Sequence, residues 1–314
     1  MPPTSHQTGA APRDHLPPGR DGEFTLADGR VLAYGLYGAL DGPPVIVLDG
    51  PGSRGLGRAA ASAAESEGIP LLVPDRPGFG ASTPPIDGSI MAISNDLLAL
   101  ADSLGFDRFG ILAQSGGTPY ALALASLGGN RITGLSLVGA VTPLGEPDAL
   151  EDVRGRMRVT FLLARRAPWL LRPLIAAVGR KTRKDPAAAA RSYAADLPAA
   201  DRAVLDDPGM WAIHEVTSAE AVSSPAAFAR ETRALARPWG IDLAAVTASA
   251  ALWVGELDPT HPPVMSRRLA HRLGGAPVTV VRGTAMFAMV GVYPEALRHA
   301  AGIGTLEGVA DVAD

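Results

Sequence analysis

The chain has 314 residues, with 28 Lys and Arg against 32 Asp and Glu and a formal net charge of −4. This balance lacks the overall basic excess that nucleic-acid binding requires, so we expect no nucleic-acid partner. The chain has no cysteine, which excludes disulfides, thiolate metal sites and a cysteine nucleophile. Hydrophobic residues make up 47% of the sequence, which excludes wholesale disorder and predicts a substantial core.

Neither the N-terminal segment nor the most apolar stretch of the chain is typical of a membrane protein. Residues 1–22 are rich in Pro, Gly and polar residues, so we interpret them as a flexible tail and not as a signal peptide. Residues 161–178 are interrupted by arginines and prolines, so they cannot cross a bilayer as an apolar helix of ~20 residues. We interpret this stretch as amphipathic helices that cover another part of the molecule. We therefore expect a soluble, cytoplasmic protein with no membrane partner.

Short apolar runs alternate with helical segments, which is the pattern of a largely parallel sheet wrapped by helices. Eight runs are predicted to be strands, at 23–26, 31–37, 45–48, 71–73, 109–113, 134–138, 250–254 and 278–281. Helices are predicted between them, for example at 57–67, 89–104, 117–127 and 263–273. The fold class is therefore α/β, with an eight-stranded, mostly parallel sheet.

The alternation is interrupted once, by a segment rich in Ala, Leu and Arg with no convincing strand. This segment, 143–242, follows the sixth strand, and we expect it to form a helical cap with helices near 148–165, 169–181, 186–196 and 219–236. The core domain then consists of 23–142 and 243–304, and 305–314 is a second flexible tail. Because ligands of such sheets bind at the carboxyl ends of the strands, a cap there excludes water and shapes a substrate pocket.

A tight turn follows the fifth predicted strand. An apolar strand runs into Ala113-Gln114-Ser115-Gly116-Gly117 and then into a helix, which is the layout of a nucleophile elbow with Ser115 at its apex. The small residues on either side of the serine let the chain turn sharply. The N–H of Gly116 then points from the start of the helix towards the serine hydroxyl, where it can stabilise an oxyanion.

Four segments together resemble the capped α/β-hydrolase family. They are Asp75–Ser82, the Ser115 elbow with Thr118–Leu122, Ala236–Gly240 and Gly255–Asp258, and the similarity covers roughly residues 23–302. The resemblance implies the α/β-hydrolase fold and an enzyme whose serine is followed along the chain by an acid and then by a histidine. Asp258 matches the acid, because it ends a strand and opens a loop before a helix. The alternative for Asp258 is a turn or helix-capping residue, which is a common use of Asp.

The chain departs from the family where the histidine is expected. The family typically has Gly-x-Gly-His after the last strand, whereas this chain has Gly283-Thr284-Ala285-Met286. A thioether cannot take a proton from a serine hydroxyl, so this position predicts a degenerate Ser-(Met)-Asp triad. Met286 would instead add a flexible apolar surface to the pocket.

A second departure lies after the third predicted strand. The family's oxyanion loop commonly begins His-Gly-x-Pro-Gly, but here Asp49-Gly50-Pro51-Gly52 is one residue short. Depending on where the gap lies, the second oxyanion donor is missing at Pro51, which has no N–H, or is supplied by Gly50. Asp49 in either case lies near the developing negative charge. It is a candidate general acid or base, and the alternative is an ion pair with Arg54 or Arg76.

Six histidines are available to replace the missing base. His6 and His15 lie in the tail, and we expect His271 and His299 to face solvent from peripheral helices. His214 lies in the cap and could face the pocket. His261 follows Asp258 by three residues and is expected close to the site but on its outer side. We therefore consider His214 and His261 the candidates for a recruited base.

Three functions follow from these residues. The first is a non-hydrolytic enzyme that catalyses a cyclisation, rearrangement or elimination of a small hydrophobic metabolite, in the manner of specialised metabolism. The alternatives are a serine hydrolase, acting as an esterase or lactonase with a recruited base, and a non-catalytic binding protein. Ser115, Asp258 and Asp49 are the catalytic candidates, and the oxyanion or substrate-binding candidates are Gly50, Gly116, Gln114, Met286 and His214. We expect no cofactor and no metal, a small hydrophobic substrate as the partner, and a monomer or a homodimer.

Overall fold

The computed structural model describes residues 15–52, 54–146, 149–151 and 153–304. The predicted tail 305–314 and residues 1–14 of the predicted tail 1–22 lie outside these ranges. The N-terminal tail was predicted too long, because Arg20, Asp21 and Gly22 already pair with the second strand.

All eight predicted strands are present, most of them a few residues longer than predicted. The strands are β1 (Arg20–Thr25), β2 (Val31–Gly38), β3 (Val45–Leu48), β4 (Pro70–Pro74), β5 (Phe109–Ser115), β6 (Ile132–Ala140), β7 (Ala250–Gly255) and β8 (Val278–Val281). The sheet order is β1-β2-β4-β3-β5-β6-β7-β8. β2 runs antiparallel to both of its neighbours, and the remaining pairs are parallel.

Helices cover both faces of this sheet. The core helices are α1 (Gly55–Ser66), α2 (Ile90–Ser103), α3 (Thr118–Gly128), α10 (Pro263–Arg272) and α11 (Tyr293–Ala301). One hydrophobic cluster joins the sheet to α2, α3 and α10, and a second joins it to α1 and α11. The strand β3 is buried along its whole length, as expected for a parallel strand covered on both sides.

The cap lies between β6 and β7. Its helices are α4 (Gly155–Arg166), α5 (Leu171–Lys184), α6 (Pro186–Ala194), α7 (Ala199–Val204), α8 (Pro208–Ser223) and α9 (Pro225–Leu235). Pro and Asp residues define several of these helix starts, for example Asp185 and Asp207, whose side chains accept the N–H groups of Ala188 and Met210. The predicted fold class, an eight-stranded mostly parallel sheet with a helical cap after the sixth strand, is confirmed. Within the described residues, no helix is long and apolar enough to cross a membrane.

Candidate active site

Ser115 occupies a strained turn at the carboxyl end of β5. Its φ of 50° is the one positive φ at a non-glycine position among the described residues. Such backbone strain is typical of a nucleophile elbow, which lifts the hydroxyl above the sheet edge. The turn requires glycine at position 117, because a Cβ there would lie 2.0 Å from the carbonyl oxygen of Leu48. The predicted elbow is therefore present as local backbone geometry.

An imidazole lies against the Ser115 hydroxyl, and it belongs to His261. The Nε2 of His261 is 2.8 Å from Ser115 Oγ, and its Nδ1 is 2.9 Å from Asp258 Oδ2. When Nδ1–H donates to the carboxylate, Nε2 of the neutral ring is left as an acceptor for the serine proton. Serine, histidine and aspartate therefore form a continuous hydrogen-bonded chain.

Asp258 and His261 come from one short loop after β7, and the loop's own hydrogen bonds fix their geometry. Asp258 Oδ1 accepts the backbone N–H of Thr260 at 2.8 Å and that of His261 at 2.9 Å. These bonds form an Asx turn, which brings the His261 ring back over the carboxylate three residues earlier. Asp258 is thus both a turn residue and the partner of the imidazole, so the two alternatives drawn from the sequence are compatible.

Burial and hydrogen bonding act in opposite directions on Asp258. Only 5% of Asp258 and 1% of His261 are exposed to solvent. Burial raises the pKa of the Asp258 carboxyl, but the charge and hydrogen bonds of His261 outweigh this effect, and the net pKa lies below its ordinary value. Asp258 is therefore a carboxylate at neutral pH, as required to orient the ring and to stabilise an imidazolium.

The expectation that His261 lies on the outer side of the site is wrong. β6 lies between β5 and β7, and the His261 ring packs over Gly139 near the end of β6. Gly139 has a φ of 54°, and the pairing of β5 with β6 shifts register beside it. This irregular strand end leaves room for the ring to reach across from β7 to Ser115.

Met286 lies in the neighbouring loop, after β8. It is half-buried and directly precedes a 3₁₀ turn, Phe287–Val292. The turn is held by the cap, because Asp201 Oδ1 accepts the N–H groups of Phe287 at 2.8 Å and of Ala288 at 2.9 Å. Burial raises the pKa of Asp201 above its ordinary value, although those N–H groups partly offset the effect. The prediction of a Ser-(Met)-Asp triad is corrected accordingly, since an imidazole from another loop lies against Ser115.

Asp49 lies in the loop after β3, and the hydrogen bonds described for its carboxylate come from backbone N–H groups. Its Oδ1 accepts the N–H of Gly50 at 2.6 Å, and its Oδ2 accepts the N–H of Leu56 in the first turn of α1 at 2.9 Å. Arg54 instead pairs with Asp75 at 2.7 Å. A carboxylate at a helix N-terminus is a stabilising arrangement, which provides a structural reason for Asp49.

The two expected oxyanion donors differ in availability. The N–H of Gly50 is bonded to Asp49, whereas the N–H of Gly116 has no hydrogen-bond partner within the described residues. Gly116 faces Gly50 and Pro51 across the site. The arrangement therefore supplies one free N–H beside Ser115.

A buried ion pair from the cap supports the loop after β3, and the sequence analysis missed it. Arg76 donates to the carbonyl oxygens of Asp49 at 2.9 Å and Gly50 at 2.7 Å, and its Nε lies 2.8 Å from Glu231 Oε1 in α9. Both charged side chains are almost fully buried. The cap thus helps to fix the backbone of the oxyanion loop. Arg76 stood inside a recognised motif, but its partner lies 155 residues away and no local pattern reveals it.

The two other predicted site residues, Gln114 and His214, make hydrogen bonds with backbone groups and not with the serine hydroxyl. Gln114 is buried at the end of β5, and its carbonyl oxygen accepts the N–H of Gly117 at 2.8 Å. His214 in α8 is buried with its Nε2 3.2 Å from the carbonyl oxygen of Ala190, and burial lowers its pKa. His214 is therefore not the base that contacts Ser115.

The two histidines expected to face solvent from peripheral helices differ in their exposure. His271 is exposed, as expected. The expectation for His299 is wrong, because its ring is buried and its Nδ1 lies 2.9 Å from Ser136 Oγ. Within the described ranges, no group of three or more His, Asp or Glu residues has a metal-binding arrangement.

Comparison with known proteins identifies the family. The family model described as the alpha/beta hydrolase fold matches residues 43–284, which is more than half of the chain. The chain belongs to the α/β-hydrolase fold family. The match includes the elbow, Asp258, His261 and the loop before Met286, so the site lies in the part of the fold that the family shares.

Individual relatives agree with this assignment. A protein named uncharacterized hydrolase YcgS from Bacillus subtilis is 30% identical over 120 residues, which are 38% of this chain and 42% of that protein. This chain thus matches less than half the length of that relative. An α/β-hydrolase fold protein from Nakamurella multipartita is similar in structure, with a TM-score of 0.65 and 25% identity over 91% of this chain and 100% of the other.

Two further structures show the same fold at lower identity. An esterase from Thermogutta terrifontis has a TM-score of 0.60 at 22% identity, covering 89% of this chain and 97% of its own. An epoxide hydrolase from Vigna radiata has a TM-score of 0.63 at 17% identity, covering 90% and 96% of the two chains. At these identities the similarity concerns the fold alone.

Proposed function

We propose that the protein is a serine hydrolase that cleaves a carboxylic ester or lactone of a small hydrophobic molecule. Ser115 is the nucleophile, His261 the general base and acid, and Asp258 the group that orients His261. The observation that carries this proposal is the 2.8 Å contact between His261 Nε2 and Ser115 Oγ, backed by the 2.9 Å contact to Asp258. Both distances lie in the range that proton transfer between such groups requires.

The reaction would proceed in two steps, acylation of Ser115 and hydrolysis of the acyl-enzyme. Ser115 Oγ attacks the carbonyl carbon while its proton moves to Nε2 of His261, and the oxyanion accepts the N–H of Gly116. The C–O bond to the leaving group breaks as His261 returns that proton to the departing alkoxide oxygen. Water then attacks the acyl-enzyme with His261 again as the base, which releases the acid and restores the Ser115 hydroxyl.

The aromatic side chains around His214 in the cap support the proposal of an apolar substrate. His214 lies among the rings of Tyr193, Trp211 and Phe287, at centroid distances of 5.5–5.7 Å, and Phe287 directly follows Met286. Aromatic side chains with few polar atoms are typical of pockets for hydrophobic ligands. These residues are the ones that we expect to determine the acyl or alcohol group accepted.

A panel of chromogenic esters and lactones of increasing chain length tests the proposal. Turnover should be measured for the full chain, for Ser115→Ala and for His271→Gln, which alters an exposed histidine as a matched control. We expect turnover that Ser115→Ala abolishes and His271→Gln leaves unchanged. Turnover that persists in Ser115→Ala would contradict the proposal.

A second candidate function is a non-hydrolytic step such as a cyclisation, rearrangement or elimination. One observation at the oxyanion loop favours it. The Asp49 carboxylate binds the Gly50 N–H at 2.6 Å, which withdraws one expected oxyanion donor and leaves a negative group nearby. Losing one such donor typically costs about 10²–10³-fold in acyl-transfer rate. In this candidate Ser115 and Gly116 donate hydrogen bonds and Asp49 moves a proton, without an acyl-enzyme. A folded protein that turns over no ester and whose Ser115 resists acylation would favour it.

A further inference from the structure

The outer face of the cap leaves large apolar side chains uncovered. Trp169 is 70% exposed, Leu170 41%, Leu174 47% and Val178 49%. Three of these residues are four positions apart along α5 and the turn that precedes it, so they lie on one line along the helix. We refer to Trp169, Leu170, Leu174 and Val178 as the cap stripe.

The opposite face of α5 already supplies the packing that the cap needs. Leu171, Gly179 and Thr182 are buried, and α5 contacts α6, α8 and α9 of the cap. The helix thus carries apolar side chains on two sides, and only one of these sides packs against residues that the structure describes. Folding of the cap does not explain the cap stripe.

Basic residues are concentrated in the segment that carries the cap stripe. Ten of the chain's 28 Lys and Arg residues lie within 154–184, and no Asp or Glu does. The rest of the chain is strongly acidic, because the total charge is still −4. The ten are Arg154, Arg156, Arg158, Arg165, Arg166, Arg172, Arg180, Lys181, Arg183 and Lys184.

Most of these cations form no ion pair with any residue that the structure describes. Among the described residues, the ion pair that involves this group is that of Arg156 with Asp196. Two acidic residues of the helices packed beneath α5 are engaged elsewhere, Glu220 with Arg58 and Glu231 with Arg76. Half of the ten lie on α5 itself and are exposed, so the helix that carries most of the cap stripe also carries exposed positive charge.

We propose that this face of the cap binds an anionic membrane surface. A helix with an exposed apolar stripe, a Trp at one end and flanking Lys and Arg lies naturally in the interface of a bilayer. Its apolar side chains enter the boundary between headgroups and acyl chains, Trp169 sits at headgroup level, and the cations pair with anionic headgroups. One face thus uses both its apolar and its basic residues.

Other possible binding partners would contact either the apolar or the basic residues of this face, but not both. A second copy docked symmetrically would place the same basic residues opposite one another, which costs free energy through repulsion. A nucleic acid or an acidic protein segment would pair with the cations but leave the aliphatic Leu170, Leu174 and Val178 without a role. The combination of stripe and charge favours a lipid surface.

This inference does not depend on the proposed hydrolysis. It differs from the expectation of no membrane partner, which rested on the interrupted apolar stretch at 161–178. The interruption excludes a spanning helix, but the arginines that interrupt the stretch are the groups that a surface-bound helix needs.

Co-sedimentation of the full chain with sucrose-loaded vesicles tests the inference. Vesicles of phosphatidylcholine with about 30% phosphatidylglycerol should bind the protein at least tenfold more tightly than vesicles of phosphatidylcholine alone, at about 0.1 M salt. Equal binding to both vesicles, or no binding to either, would overturn the inference.

Two variants separate the apolar and the basic contributions. Leu174→Glu should weaken binding to anionic vesicles about tenfold or more, and Arg180→Gln/Lys181→Gln should weaken it about 25-fold, about fivefold per charge. The matched controls are Ile86→Glu, at a core loop residue that is 80% exposed, and Arg267→Gln/Arg268→Gln on α10, and both should bind within twofold of the parent. Circular dichroism should verify that every variant is folded. Unchanged binding in Leu174→Glu would identify a general polyanion site and overturn the membrane inference.

Discussion

The loops after β7 and β8 lie side by side at the same edge of the sheet, yet they differ in what they present to Ser115. The loop after β7 carries Asp258 and His261, and both side chains join one hydrogen-bonded chain to the serine. The loop after β8 carries Met286, which has no proton to exchange, and its 3₁₀ turn is held by Asp201 of the cap. The first loop provides the reacting groups, and the second connects core and cap.

This difference shows that the catalytic base can come from a different loop than the one that carries it in the family pattern. The carboxyl ends of the parallel strands β5, β6, β7 and β8 lie at one edge of the sheet, so the loops after β7 and β8 both lie on the same side as the elbow serine. What decides between the loops is local: an Asx turn at Asp258 and the space over Gly139. Four predictions test this account, in order of decreasing expected effect.

Removing the serine or its partner should have the largest effect. Ser115→Ala and His261→Gln should each reduce ester turnover about 10⁵–10⁶-fold, and the double variant should be no worse than either, because nucleophile and base act as a unit. Steady-state rates of all three, with circular dichroism as the folding control, measure this. A His261→Gln variant within tenfold of the parent would show that another group is the base.

The second prediction concerns the orienting carboxylate. Asp258→Asn should lower turnover about 10⁴-fold, since the amide favours the wrong imidazole tautomer and cannot stabilise an imidazolium. The backbone bonds to Thr260 and His261 can still be accepted by the amide oxygen, so the loop should keep its shape. An effect below tenfold would separate Asp258 from the reaction and leave it as a turn residue only.

The third prediction uses the opposite pKa directions of the two buried carboxylates. Asp258 has a lowered pKa, so its stabilising contribution is present above about pH 4 and is lost as the pH falls through its folded value. Asp201 has a raised pKa, so its ionised form costs free energy at neutral pH, and its contribution improves as the pH falls towards about 4. Asp201→Asn should therefore raise the Tm at pH 7, by about 2 °C.

Thermal melts of the parent, Asp201→Asn and Asp258→Asn between about pH 4 and 7 compare the two carboxylates. The advantage of Asp201→Asn should shrink with acidification, and Asp258→Asn should be less stable than the parent at pH 7. A lower Tm for Asp201→Asn at pH 7 would mean that the charge itself holds the loop after β8.

The smallest effect is expected at the position where the family places its histidine. Met286→His should leave turnover within about threefold of the parent, because Ser115 already has a hydrogen-bonded imidazole. Met286→Leu serves as the control for the loss of the thioether alone. A tenfold gain in Met286→His but not in Met286→Leu would show that the loop after β8 is the better place for the base.

Much of the fold was predictable from the sequence, because strand and helix patterns are local. All eight strands and the elbow at Ser115 followed from apolar runs and small residues around the serine. Asp258 followed from its place at the end of β7. The sequence pattern misplaces the base, because the family motif puts the histidine at position 286, which is Met in this chain, whereas His261 reaches Ser115 from another loop.

The location of His261 could not be derived from the sequence with the same rigour. The Asp-x-x-His spacing was visible, but the direction of the ring depends on the Asx turn and on the irregular end of β6. The Arg76–Glu231 pair is not predictable for a related reason, since it joins core and cap across 155 residues. Side chains that meet only after folding leave no local signal.

The most direct test is a measurement of the intact protein mass by mass spectrometry after exposure to a fluorophosphonate, which reacts only with an activated serine. The account predicts one rapid, stoichiometric adduct on the parent and on Met286→Leu, and none on Ser115→Ala or His261→Gln. No adduct on the folded parent would contradict the proposed activation of Ser115. An adduct that forms equally fast in His261→Gln would contradict the central claim that the base comes from the loop after β7.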